Sequence, residues 1–261
     1  LHMTTLKKLS SGLEIPIVGW GTGTAWFNPS GDKIEQLKES VQQALNAGFR
    51  HIDSAQMYRN ENHVGPAIES WLQSSNSSRA DLFITSKVTN PCKEPAKLRK
   101  ALLQTLEDLR TPYLDLYLIH SPFDNPVPIK ETWDEMQKLQ KEGLVKSIGV
   151  SNFAVEHLKE LAENSSVSPA LNQVEYSAYL QQPELVEYCN KNNITLSSYA
   201  GLSPMLNFKG GPLDSILSEL SEKYKASPMQ ILQTWIRSRG IVVITTTGKE
   251  SRMKEILDGL N

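Results

Sequence analysis

Short, continuously apolar stretches alternate along this chain with stretches whose apolar residues recur every three or four positions. The first kind occurs eight times: Ile17 to Trp20, Phe49 to Ala55, Leu82 to Val88, Leu114 to His120, Val145 to Val150, Leu171 to Tyr176, Ile194 to Tyr199 and Ile241 to Thr246. Each is of strand length, and unbroken apolar character is what a strand buried on both faces requires. Between them lie amphipathic helical patterns. Ile34, Leu37, Val41 and Leu45 share one face, with Asp32 as the predicted cap and Gly48 as the stop. Val64, Ile68, Trp71 and Leu72 define a second helix, and Leu98, Leu102, Leu106 and Leu109 a third. Trp133, Met136 and Leu139 define a fourth that stops at Gly143. Leu158 with Leu161, Pro183 to Cys189 and Leu213 to Tyr224 continue the series. Ser227-Pro228 opens another helix, predicted to run to Gly240, and a last one begins near Ser251.

Strand and helix in strict alternation give a parallel sheet with helices outside it. Eight such units in 261 residues predict one closed (β/α)8 barrel spanning residues 1–261. Leu6 to Leu9 and Leu13 to Ile15, separated by Ser11-Gly12, read as a short N-terminal β-hairpin placed to plug the barrel floor. Chemistry in such barrels gathers at the carboxyl ends of the strands. There the runs end in Gly21-Thr22-Gly23-Thr24, Asp53-Ser54, Lys87, His120-Ser121, Ser151-Asn152, Tyr199 and Thr245 to Thr247, while Gln173 and Glu175 lie in the sixth. A mouth lined with hydrogen-bonding and ionisable groups follows.

Composition narrows the function classes. A hydrophobic content of 39% with 5 Trp, 8 Tyr and 6 Phe is enough for a sizeable core. With 27 basic against 29 acidic residues, no electrostatic footprint for nucleic acid or an anionic membrane is present, and no apolar run approaches the ~20 residues of a membrane helix. Cys92 and Cys189 form no CxxC or zinc-type spacing, and no metal site is expected. Two isolated thiols and no signal-peptide pattern point to the cytoplasm, and Leu1-His2 reads as an addition before a native Met3. Gly19, Gly21 and Gly23 are spaced GxGxG, but Thr24 stands where a dinucleotide fingerprint needs its third glycine.

The stretch Gly48-Phe49-Arg50-His51-Ile52-Asp53-Ser54-Ala55-Gln56-Met57-Tyr58-Arg59-Asn60-Glu61-Asn62-His63-Val64-Gly65 resembles the signature of the aldo-keto reductase family. Ile84 to Lys87, Leu118 to Pro122, Gly149 to Phe153 and Asn172 to Tyr176 resemble further family segments, in order, across essentially the whole chain. Gly21 to Trp26 and Lys249 to Arg252 have the flavour of fungal-type carbonyl and conjugated polyketone reductases. The resemblance implies NADPH-dependent reduction of aldehydes or ketones by a tetrad of Asp53, Tyr58, Lys87 and His120. The chemistry of those residue types agrees. A phenol is a weak acid at neutral pH unless a cation stabilises its phenolate, which Lys87 would supply and Asp53 would hold in place. His120 would orient the carbonyl oxygen. No side chain carries hydride, so a nicotinamide cofactor is implied.

By the same resemblance Ser151, Asn152 and Gln173 would hold the carboxamide and Tyr199 would stack on the nicotinamide ring. Gly21, Thr22 and Gly23 would admit the cofactor closely, while Gly201, Leu202 and Ser203 would cover the pyrophosphate. Thr246 stands where the family usually has a phosphate-binding lysine, leaving Lys249 and Arg252, helped by the Thr246 and Thr247 hydroxyls, to hold a 2′-phosphate. NADPH is therefore expected, with NADH weaker. Ser121 replaces a frequent Trp beside the histidine, and Trp26 and Phe123 are the expected apolar walls for a small-molecule carbonyl substrate. Family members continue beyond the eighth unit through a helix and a loop that shapes the pocket, whereas this sequence stops at Asn261. Two other readings stay open: a nicotinamide-binding, redox-sensing regulatory subunit that does not turn over, and a barrel aldolase with Lys87 as its Schiff-base lysine.

Overall fold

The computed structural model describes residues 5–89, 97–123 and 128–259; Cys92 and the Leu1 to Met3 start lie outside them. Two short strands open the chain, β1 (Leu6–Lys8) and β2 (Glu14–Pro16), paired antiparallel with Lys7 opposite Ile15. Eight parallel strands then close on themselves: β3 (Val18–Gly21), β4 (His51–Asp53), β5 (Phe83–Val88), β6 (Leu114–Ile119), β7 (Val145–Ser151), β8 (Leu171–Glu175), β9 (Thr195–Tyr199) and β10 (Val242–Thr245). Closure is made by β10, which pairs with β9 on one side and β3 on the other.

The helices cover the barrel in the order the periodicity predicts. They are α1 (Asp32–Ala47), α2 (Glu61–Ser74), α3 (Leu98–Asp108), α4 (Ile129–Lys141), α5 (Val155–Asn164) and α6 (Pro183–Lys191). A one-turn α7 (Ser203–Leu206) precedes α8 (Leu213–Tyr224), α9 (Pro228–Arg237) and α10 (Glu250–Asp258). Two local expectations need correction. Gly31, with φ 56°, is the N-cap of α1, and Asp32 is its first helical residue without a side-chain cap bond. A carboxylate there complements the helix dipole without capping. The ninth helix ends at Arg237, and Gly240 completes the turn beyond it with φ 71°. The single turn α7 carries too few residues to show a periodicity. The Ser227 cap is a full capping box, its hydroxyl accepting from the Gln230 amide while that side chain returns to the Ser227 N–H.

Alternation along the strands sorts the core into two layers. Outward residues such as Trp20, Ile52, Ile84, Tyr117, Ile119, Val150 and Val243 pack with Leu37, Val64, Leu102, Trp133 and Ile236 of the helices. Inward residues Phe83, Leu116, Leu118, Leu171, Val242 and Ile244 cluster with Leu9 and Ile15 of the hairpin. The hairpin therefore stoppers the end at which the strands begin, and the opposite end stays open. Two inward glycines pass the chain through a crowded interior. A Cβ on Gly19 would stand 2.6 Å from His51 Nδ1, and one on Gly149 would stand 2.5 Å from the Leu171 carbonyl oxygen.

Candidate active site

Inward positions two residues apart carry the chain from packing to chemistry. On β5 the sequence Phe83, Thr85, Lys87 climbs from the floor cluster, through a hydrogen bond to His51 (Nε2 to Oγ1, 3.0 Å), to a lysine at the strand end. On β4 the same step runs from His51 to Asp53. Lys87 and Asp53 face each other, 1% and 2% exposed, with Nζ donating to Asp53 Oδ1 at 2.5 Å. Nζ also donates to the Ser54 carbonyl at 2.9 Å and reaches the Tyr58 hydroxyl at 3.4 Å. The second oxygen of Asp53 accepts from Gln173 Nε2 at 2.8 Å. Each hydrogen of the ammonium thus meets an oxygen, which is what makes a charge tolerable at this depth. Burial works to lower the Lys87 pKa, but the Asp53 carboxylate and then Tyr58 outweigh it, and Lys87 titrates above its usual range.

Tyr58 ends a single 3₁₀ turn, Gln56–Tyr58, held at the strand ends where Gln56 Oε1 accepts from the Thr89 amide at 3.2 Å. Its ring lies edge-on to His120, centroids 5.9 Å apart, and 5.1 Å from Lys87 Nζ. His120 is half-buried just beyond β6, with Nδ1 enclosed and unpartnered among the described residues. Burial first, and the Lys87 charge second, push its pKa down to about 4, so it is neutral at neutral pH.

Beside this group a cleft of about 460 Å³ runs across the mouth, lined by Gly21, Gly23, Asp53, Tyr58, Gln173, Tyr199, Leu202 and Thr246 among others. Its β3 wall is backbone. A Cβ on Gly21 would lie 2.9 Å from Thr246 Oγ1, and one on Gly23 would lie 3.1 Å from the Tyr58 ring. A flat aromatic surface at Tyr199, carboxamide chemistry at Gln173 and close backbone at Gly21 and Gly23 fit an elongated nicotinamide nucleotide.

Several expected cofactor residues are tied to one another. Tyr199 Oη donates to Asn152 Oδ1 at 2.7 Å, Asn152 Nδ2 donates to the His120 carbonyl at 2.9 Å, and Ser151 Oγ donates to the Gln173 carbonyl at 2.7 Å. Asn152 holds this place with φ 61°, a left-handed conformation asparagine tolerates. Thr22 is buried, its Oγ1 donating to Ser54 Oγ, and Thr246 Oγ1 donates to the Gly21 carbonyl. Thr247 Oγ1 accepts from the Lys249 amide. Lys249 and Arg252 are exposed at the start of α10 and carry no ion pair among the described residues.

On the substrate side, one expected wall stands elsewhere, and Ser121 and Phe123 are not in the lining of the cleft. Trp26 is not a wall of the mouth: it is 8% exposed and faces the outer core, its ring edge 3.0 Å from where a Gly248 Cβ would stand. The 3₁₀ turn Thr24–Trp26 turns the indole inward and leaves the next residue outside. Phe27 instead stands at the site, 51% exposed and 6.4 Å from the Tyr58 ring. Phe123 is 63% exposed and rests edge-on against His157, and Ser121 is half-buried with Oγ accepting from the Phe123 amide. Asn60 and Glu61, inside the long signature stretch but given no role, are both buried and bonded to elements of the site. The available signal was a pair of polar residues beginning two positions after Tyr58, at the start of an otherwise amphipathic helix.

Comparison with known proteins agrees with the geometry. The model of the aldo/keto reductase family matches residues 19–261. The NAD/NADP-dependent indole-3-acetaldehyde reductase of Schizosaccharomyces pombe is 41% identical over 253 residues, 95% of this chain and 87% of that protein. Glyoxal reductase of Bacillus subtilis is 38% identical over 262 residues, 98% of this chain and 88% of that one. Among solved structures, a Bombyx mori aldo-keto reductase in complex with NADP has a TM-score of 0.89 at 33% identity, covering 99% of this chain and 88% of its own.

Proposed function

The chain belongs to the aldo/keto reductase family and is an NAD(P)H-dependent oxidoreductase, and on that premise we propose that it reduces aldehydes and ketones to alcohols with Tyr58 as general acid and NADPH as preferred cofactor. The observation that carries this reading is the Tyr58 hydroxyl 3.4 Å from an ammonium that Asp53 holds at 2.5 Å. The nicotinamide, when bound, supplies the hydride. Tyr58 gives its hydroxyl proton to the carbonyl oxygen, and Lys87 stabilises the phenolate left behind. Asp53 keeps Lys87 charged and aimed, and Gln173 fixes Asp53. His120, neutral at neutral pH, cannot act as a cationic acid, which leaves it to orient the carbonyl oxygen and leaves the proton to Tyr58.

A raised Lys87 pKa also argues against the aldolase reading, since a Schiff-base lysine has to be a neutral amine to attack. Ser151, Asn152, Gln173 and Tyr199 form one bonded shelf beside the tetrad, a rigid support for the nicotinamide end. Lys249 and Arg252, helped by the Thr246 and Thr247 hydroxyls, would read a 2′-phosphate. Phe27, 6.4 Å from the Tyr58 ring, takes the apolar role expected of Trp26. The test is Tyr58→Phe, which keeps the ring and removes the proton. It should lower kcat at least ~100-fold while NADPH still quenches intrinsic fluorescence with unchanged affinity. Retention of more than about a tenth of wild-type kcat would overturn the assignment.

A further inference from the structure

Two residues, Arg59 and Asn60, connect the tyrosine to Glu61, the first residue of α2. Arg59 adopts a left-handed conformation with φ 50°, and the next two side chains are buried and bond to different segments of the barrel. Asn60 is fully buried and its Nδ2 donates to the Thr22 carbonyl at 2.7 Å and the Trp26 carbonyl at 2.8 Å, both on the loop that follows β3. The Asn28 amide returns a bond to the Tyr58 carbonyl at 2.8 Å. Glu61 accepts from Ser86 Oγ at 2.5 Å through one oxygen and from Thr105 Oγ1 at 3.0 Å through the other. Ser86 immediately precedes Lys87 on β5, and successive strand residues face opposite sides, so the Glu61 bond grips β5 from outside where Lys87 projects inside.

This arrangement is expensive for a purely structural joint. The Glu61 carboxyl is 4% exposed and its hydrogen-bond partners among the described residues, Ser86 and Thr105, are both neutral hydroxyls; burial pushes its pKa up to about 7. Asn60 Oδ1 is buried without a partner among the described residues, and so is the hydroxyl of Tyr117, whose residue pairs with Ser86 across β5 and β6. Apolar residues of similar size would fill the same space without these penalties. What apolar residues cannot do is fix the tyrosine segment against the β3 loop on one side and the lysine strand on the other.

We propose that Asn60 and Glu61 form a two-sided clamp that sets the Tyr58–Lys87 contact, which makes them positioning residues for the proton transfer. The inference rests on Tyr58 as the acid, and it locates the control of that acid outside the pocket. Neither side chain lines the cleft, so substrate and cofactor affinity should be indifferent to them.

The experiment compares Glu61→Leu, Glu61→Gln and Ser86→Ala with wild type. Its readouts are kcat and KM for an aldehyde, NADPH affinity by fluorescence quenching, and the D2O solvent isotope effect on kcat. Glu61→Leu should lower kcat at least about 10-fold with KM and NADPH affinity within about two-fold, and should raise the isotope effect as proton transfer becomes slower. Glu61→Gln, which can still bond both hydroxyls, should recover most of kcat. Ser86→Ala, a small change that keeps the fold if Glu61→Leu does not, should give a smaller loss of the same kind. In a Tyr58→Phe background Glu61→Leu should have no further effect, because the contact it sets is gone. Failure of Tyr58→Phe to abolish activity would remove the acid assignment itself, a result separate from the clamp variants. The clamp is overturned if Glu61→Leu and Ser86→Ala both keep kcat within two-fold. An equal further loss in the Tyr58→Phe background would overturn it too.

Discussion

Replacing Lys87 by Met separates what the buried pair does for the fold from what it does for the chemistry. The thioether fills most of the lysine stem's volume and removes three contacts: Asp53 Oδ1 at 2.5 Å, the Ser54 carbonyl at 2.9 Å and the Tyr58 hydroxyl at 3.4 Å. Asp53, 2% exposed, then keeps only Gln173 as a donor among its described partners. Breaking a buried pair from one side costs roughly 3–5 kcal/mol, because the remaining charge loses its partner without regaining water. Asp53→Asn alone should cost a similar amount by stranding the ammonium. The double variant Asp53→Asn/Lys87→Met strands nothing, and should recover at least ~2 kcal/mol relative to the sum of the singles. Activity should not follow stability. Without the cation the phenolate is unsupported, so kcat should fall at least ~10²-fold in Lys87→Met and stay there in the double variant. Urea unfolding followed by tryptophan fluorescence gives the first quantity, and loss of NADPH absorbance with an aldehyde gives the second. A double variant whose loss equals the sum of the two single losses would show that the pair is not coupled as its geometry requires. A Lys87→Met enzyme with more than about a tenth of wild-type kcat would refute its role in proton transfer.

Arg252→Ala should weaken NADPH binding roughly 10- to 100-fold and leave NADH nearly unchanged, since a bidentate partner of a phosphate contributes about 1.5–3 kcal/mol and NADH lacks that phosphate. Fluorescence titration with both cofactors decides it, and equal losses would mean that the residue supports α10 instead. Ser121→Trp should penalise bulky ketones more than small aldehydes through overpacking beside His120, as kcat/KM across the two substrate classes would show. The pH dependence of stability should carry two opposite signatures. Glu61 releases its proton near 4.5 when unfolded and near 7 when folded, so its contribution is full below pH 4.5 and is lost as pH rises to about 7. Glu61→Gln should therefore gain on wild type by up to about 3 kcal/mol across that window in urea titrations. His51 and His120, held down to about 4 by burial, contribute stability that is full above 6.5 and is lost as pH falls toward 4, which His51→Gln should blunt.

Fold class was written in local pattern. Strand-length apolar runs and 3.6-period faces depend only on near neighbours, and eight repeats of that alternation leave a closed parallel barrel as the arrangement that covers both faces of every strand. Strand ends such as Asp53, Lys87 and Gln173 were legible for the same reason, because a period of two carries the interior register up to the mouth. What no local pattern contains is which of these ends meet. The bond from Gln173 to Asp53 spans 120 residues and exists only because the barrel closes. Trp26 and Phe27 are adjacent aromatic residues, and only the turn at Thr24–Trp26 decides that the indole enters the outer core while the phenyl reaches Tyr58. Asn60 and Glu61 read as helix-start polar residues until the β3 loop and β5 are brought against them, since the groups that use their hydrogen bonds come from distant segments. Composition and periodicity record how each segment pays for its own burial, whereas the geometry of the site is set by non-local pairings that form only in the assembled barrel.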